Sequence, residues 1–184
     1  AKSALEYLRR TGKYSRVGLI GHSEGGLIAE RIAAESPAEV DFIVLLAAPG
    51  TSGVEIITYQ NVVMMASLIR PDAKEDFGRI TSETFQDLAY HSTTRAEDST
   101  LMRGYFERVL PLVREEQRAA TSAMVLSDKY FSTMLDATST TYYKEFLRSD
   151  PSALLPRITC PILALNGSKD MQVEASSNLS AIKR

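Results

Sequence analysis

A single cysteine, Cys160, excludes an internal disulfide in these 184 residues. Its place at the mouth of an apolar run predicts a core side chain rather than a reactive thiol. No segment approaches the roughly 18 consecutive apolar residues that span a bilayer, and the start shows no basic stretch leading into an apolar one. Charge of one sign is missing too: 21 basic residues face 23 acidic ones, for a net charge of −2. That balance leaves no electrostatic footprint for nucleic acid or an anionic membrane, and it suits a small, neutral substrate. Position 1 opens inside a helical pattern without an initiator methionine, so an upstream targeting segment is not excluded. Localisation, whether cytoplasmic, periplasmic or secreted, therefore stays open. The sequons Asn166-Gly167-Ser168 and Asn178-Leu179-Ser180 are short enough to arise by chance. Neither an internal repeat nor a low-complexity stretch is present.

What is there reads as an ordinary soluble globular domain, or a large piece of one, with 44% apolar and 24% charged residues. Ala4, Leu5 and Leu8 recur at helical spacing over residues 1–11, with Arg9 and Arg10 in the last turn and Gly12 placed as a C-cap. Val17-Gly18-Leu19-Ile20 has the texture of a strand covered on both faces. A helix follows at once, carrying Leu27, Ile28, Ile32 and Ala33 on one face and ending at Ser36-Pro37. Phe42 to Leu46 and Pro161 to Leu165 are two further apolar runs of strand length. Helix, strand, helix, strand with short links is the grammar of a parallel sheet flanked by helices, which makes the fold class α/β.

The long stretch between the second and third strands is helical in texture and far exceeds an ordinary α/β connection. Ile57, Met64, Met65 and Leu68 form one apolar stripe, Leu101, Tyr105, Val109 and Leu112 a second, and Met124, Phe131, Met134 and Leu135 a third. Most of these side chains are expected to pack helix on helix. Others are candidates to line a pocket for an apolar group, since methionine adapts to irregular ligands. Polar breaks fall near Pro71-Asp72 and from Ser92 to Asp98. The expected organisation is a core at 1–50, a helical lid insertion at 51–156, and the core continued at 157–184.

Chemistry concentrates at Gly21-His22-Ser23-Glu24-Gly25, which fits G-x-S-x-G at the junction of a strand and a helix. Such a turn lifts the Ser23 hydroxyl above the carboxyl edge of the sheet, where it can act as a nucleophile. Glycines two before and two after are expected to remove Cβ atoms that would clash. The following helix N-terminus would stabilise an oxyanion, with the backbone N–H of Glu24 as one donor. A phosphate-binding loop is excluded, because the turn carries neither a following Lys-Ser or Lys-Thr pair nor G-x-G-x-x-G. A nucleophilic serine needs a base and an acid that orients it. Asn166-Gly167-Ser168-Lys169-Asp170 would deliver Asp170 to the same sheet edge; the alternative is a turn residue capping a helix that starts near Val173. Only His22 and His91 are available as bases, and neither follows Asp170. Successive side chains diverge in the turn, which gives His22 a packing or local hydrogen-bonding role. His91 lies in the insertion.

The runs Val17 to Gly26, Phe42 to Gly50 and Cys160 to Val173 resemble the α/β-hydrolase superfamily, and within it the serine aminopeptidase (S33-like) and carboxylesterase group. That resemblance implies a partial α/β-hydrolase fold with a large helical lid, cleaving an ester or amide of a small, apolar substrate through an acyl-enzyme on Ser23. Asp170 would orient a histidine, and neither cofactor nor metal would be needed. The chain departs from the group by lacking the strands and loop that supply a second oxyanion donor, and the final strand and histidine. The expectation is a piece of a longer hydrolase, inactive or nearly so alone, with unpaired strand edges that favour self-association. The competing reading is a non-catalytic small-molecule-binding protein of the same fold. A peptidase would also need an acid for the substrate's amino terminus, for which Glu75, Asp76, Glu83 and Asp87 are candidates.

Overall fold

The computed structural model describes residues 1–183. In chain order the elements are α1 (Lys2–Thr11), β1 (Leu19–His22), α2 (Glu24–Glu35), β2 (Ile43–Leu46), α3 (Gly53–Met64), α4 (Lys74–Tyr90), α5 (Arg95–Val109), α6 (Glu115–Val125), α7 (Asp128–Thr138), α8 (Thr141–Arg148), β3 (Ile162–Leu165) and α9 (Ala175–Lys183). They form two compact units: Ala1–Ser52 with the stretch from Asp150 onward, and Gly53–Ser149. Among the described residues no helix is long and apolar enough to cross a membrane.

The first unit is built on a parallel sheet of order β1-β2-β3. α1 ends as its composition predicts, with Gly12 left-handed at φ 62° and its N–H bonded to the Arg9 carbonyl. Arg9 ties this helix to the sheet's entry. Its guanidinium lies 2.6 Å from Asp41, whose carboxylate also accepts the Val17 N–H at 2.6 Å. The three strands start later than the apolar runs suggest, because ladder pairing begins only where β1 and β2 run side by side, at Leu19 and Ile43.

One face of the sheet carries the core. Ile43 and Leu45 are buried and pack with Leu5, Ala29, Ile32, Ala33 and Val40, while Ile162, Ala164 and Cys160 are partly buried against the same cluster. The opposite face is open: Ile20 is 72% exposed, Leu163 54% and Leu165 53%. The expectation of a β1 covered on both faces is thus corrected. Hydropathy shows that a strand is apolar on both sides, but not that a second layer of helices covers it.

The second unit is helical throughout. Ile69, Phe77, Met102, Tyr105, Phe106, Val113, Val125 and Phe131 form its main cluster, with edge-to-face contact between Phe106 and Phe131 at 6.3 Å. The break before α5 is a capping box, in which the Thr94 hydroxyl accepts from the Glu97 N–H and the Glu97 carboxylate accepts from the Thr94 N–H. Beside it sits a buried ion pair. Lys144 Nζ lies 2.7 Å from Asp98 Oδ1 and donates to the Ser92 carbonyl at 3.0 Å, and the Ser92 hydroxyl bonds the same carboxylate oxygen. Two expected stripe residues point outward, Met64 at 73% and Met124 at 49% exposure. Each lies in the final turn of its helix, where the chain turns away and the 3.6-residue pattern no longer reports a packed face.

Candidate active site

β1 ends at His22 and α2 opens at Glu24, so the whole change of direction falls on Ser23. Its backbone is held at φ 52°, ψ −125°. For a residue with a Cβ this conformation costs on the order of 1–3 kcal/mol and persists only where neighbouring contacts enforce it. They do so here: the Ser23 N–H donates to the Leu46 carbonyl at 2.9 Å, and the Ser23 carbonyl accepts from the Gly26 N–H at 2.8 Å. The serine's own N–H is committed to the sheet ladder. The Glu24 N–H lies in the first turn of α2, at the positive end of the helix dipole.

The glycines act differently from the expected pattern. A Cβ on Gly21 would lie 2.2 Å from the Gly25 carbonyl oxygen, and one on Gly26 would lie 2.3 Å from the Ala48 Cβ, whereas one on Gly25 would meet nothing within 4 Å. The residue that must be small after the serine is Gly26, because α2 meets the end of β2 there. A second strained residue, Ala47, sits at φ 48° just past β2, with its N–H bonded to the Leu165 carbonyl at 2.8 Å. Nothing in an Ala-Ala-Pro-Gly stretch signals a left-handed alanine. Two strained backbones thus lie at the carboxyl ends of neighbouring strands.

Asp170 lies in the loop after β3, at that same sheet edge. Its Oδ1 accepts from the N–H groups of Gln172 at 2.8 Å and Val173 at 3.0 Å, and its own N–H donates to the Gly167 carbonyl. The carboxylate therefore shapes its own loop. It does not cap the next helix: α9 begins at Ala175, and Glu174 accepts the N–H groups of Ser176 and Ser177 in that role.

His22 is exposed, so of the two expected roles, packing or a local hydrogen bond, the structure goes against packing. His91, just past α4 in the helical unit, holds its Nδ1 3.0 Å from Asp87 at an exposed position. Burial pushes the Cys160 thiol above its ordinary value, which disfavours the reactive thiolate.

One titratable residue escaped the sequence reading. Glu30, on α2 two turns past Ser23, is fully buried, and neither carboxylate oxygen has a hydrogen-bond partner among the described residues. Burial drives its pKa up to about 8. The available signal was its flanks: Gly26, Leu27, Ala33 and Ala34 surround it at helical spacing and place it on the packed face.

No curated protein matches the chain. Among solved structures it is similar to VinJ, at 20% identity and TM-score 0.45 over 97% of this chain and 57% of that one. It is also similar to a hydrolase from Pseudomonas aeruginosa PA01, at 18% identity and TM-score 0.41 over 98% and 57% of the two chains. A third is the meta-cleavage product hydrolase CumD of Pseudomonas fluorescens IP01, at 16% identity and TM-score 0.39 over 91% and 52%. The chain spans little more than half the length of each. The family model for the alpha/beta hydrolase fold matches residues 1–184, and with a strained serine between a parallel strand and its following helix, the chain belongs to that family.

Proposed function

We propose that the whole protein is a serine hydrolase whose nucleophile is Ser23, acting on an ester of a small, apolar acid. The observation that carries this reading is the positive φ of Ser23 at the junction of β1 and α2, the strained strand-to-helix turn that suits a serine nucleophile at the carboxyl edge of a parallel sheet. In the proposed step the Ser23 Oγ attacks the substrate carbonyl and its proton passes to a base. The tetrahedral oxyanion is stabilised by the Glu24 N–H, and collapse releases the alcohol and leaves an acyl group on Ser23. Water then hydrolyses that acyl-enzyme. Asp170 is the carboxylate that orients the base, held rigid by the turn it caps. The base itself is unassigned, since neither His22 nor His91 follows Asp170.

An ester is favoured over an aminopeptidase substrate by the state of the candidate acids. Asp76 bonds Arg79, Glu83 bonds Arg79 and Arg108, and Asp87 bonds His91. Three of the four carboxylates that could hold an amino terminus already have cationic or imidazole partners. The test is to label the full-length protein with a fluorophosphonate and assay short p-nitrophenyl esters. Ser23→Ala is expected to abolish both signals, and labelling that survives it would sink the assignment.

A further inference from the structure

The helical unit holds a cavity of about 280 Å³ that is partly open to solvent, with Met64 73% and Tyr130 40% exposed at its rim. Protein interiors seldom leave voids larger than a water molecule, and an engineered apolar cavity of about 150 Å³ stays dry and takes up benzene. The void here is larger than that. Its wall holds no aspartate, glutamate, lysine, arginine or histidine. Four of the chain's six methionines line it, Met64, Met65, Met102 and Met134, alongside aromatic and aliphatic side chains. Thioether side chains have three rotatable bonds and reshape around irregular apolar guests.

The wall is not uniformly greasy. Thr121 and Tyr143, each bearing a hydroxyl, belong to it. The neighbouring Tyr105 hydroxyl is already bonded to Thr81 at 3.2 Å. Burial pushes the Tyr143 phenol up to about 12, so it stays neutral and able to donate at any physiological pH. A ligand that hydrogen-bonded to one of these hydroxyls would be held in a fixed orientation.

We infer that this cavity is a binding site for a neutral, mainly apolar small molecule carrying one hydrogen-bonding group, of the size and type of a medium-chain alcohol. The wall offers no ionic partner to a charged head group, which disfavours one inside the cavity. The site lies wholly within Gly53–Ser149 and does not depend on Ser23 being a nucleophile.

The test uses the full chain carrying Ser23→Ala, so that no turnover contributes, with isotope-labelled methionine methyl groups followed by NMR. Titration with n-octanol is expected to move the Met65, Met102 and Met134 methyls saturably and to leave Met124 and Met171, which lie outside the cavity, in place. Octanoate at neutral pH is expected to bind about tenfold more weakly or less, the cost of burying an unpaired charge. Thr121→Leu, which fills part of the space and removes a hydroxyl, is expected to weaken octanol binding by about tenfold. Should that variant fail to fold, a series from butanol to dodecanol on the parent chain decides the matter: affinity should climb and then fall once the chain outgrows the cavity. An absence of saturable shifts, equal shifts at Met124 and Met171, octanoate binding as tight as octanol, or affinity that only rises with chain length would each overturn the proposal.

Discussion

The Gly50 N–H donates to the Asn178 side-chain oxygen at 2.7 Å, a buried bond between residues 128 apart in sequence. The same oxygen accepts from the Thr51 N–H at 3.1 Å, and the Asn178 amide donates to the Glu174 carbonyl at 2.7 Å. Asn178 thus ties α9 to the turn after β2 and satisfies two backbone donors, the Gly50 one buried and the Thr51 one partly so. Asn178→Leu leaves the Gly50 N–H buried and unpaired, and a loss of about 1–3 kcal/mol is expected from the shift in urea midpoint. Asn178→Asp keeps an acceptor but buries a charge, so its loss should shrink as pH falls and the carboxyl protonates. The buried side chain is also closed to glycosylation in the folded state, whatever its sequon suggests.

The three glycines around Ser23 give a test that the bare motif would fail. If G-x-S-x-G were read literally, Gly21 and Gly25 would be the essential pair. The contacts instead place the demand on Gly21 and Gly26. Gly21→Ala and Gly26→Ala force a Cβ into a carbonyl oxygen and into Ala48, and each is expected to cost about 1–3 kcal/mol or more. Gly25→Ala adds a methyl group to open space in the first turn of α2, and should be neutral or stabilising by up to about 1 kcal/mol. Denaturant titration of the three variants separates the two readings.

The contrast shows which parts of the fold were legible in the sequence. Local signals worked where local physics decides: Gly12 ends α1, the apolar runs become parallel strands, and the strand-to-helix turn falls on Ser23. Features set by a distant partner did not show. Gly26 is constrained by Ala48, Asn178 bonds Gly50, and the left-handed Ala47 bonds the Leu165 carbonyl, all contacts made only after the chain has folded. Glu30 was hidden for a different reason. A charged residue on a helix is ordinarily solvated, and only its apolar neighbours at helical spacing betray that it faces inward.

That buried carboxyl makes stability pH-dependent with a definite sign. Glu30 has a folded-state pKa of about 8 against an ordinary 4.5. Between those values the native state holds a proton that the unfolded state has lost, so stability falls as pH rises through this window. The loss is complete above about pH 8, and linkage bounds it at about 5 kcal/mol. Glu30→Gln keeps the shape and removes the titration. Urea midpoints measured from about pH 5 to 8.5 should decline for the parent chain and flatten for the variant. Parallel declines in both would mean that another group carries the effect.

The open sheet face supports the last prediction. Register places Ile20, Val44 and Leu163 in one row and His22, Leu46 and Leu165 in the next. Ile20, Leu163 and Leu165 are all exposed, so the two rows form a contiguous apolar patch on a sheet whose outer strands, β1 and β3, have no further strand beside them among the described residues. Contiguous apolar surface of this kind drives association, and unpaired strand edges give it a template. The 184-residue chain is expected to sediment as concentration-dependent oligomers. Ile20→Thr with Leu163→Lys places a hydroxyl and a charge on the patch without touching the buried face that holds Ile43 and Leu45. The double variant should shift towards monomer across a dilution series while its urea midpoint stays near that of the parent. A parent chain that sediments as a single monomeric species at every concentration would show that this face does not drive association.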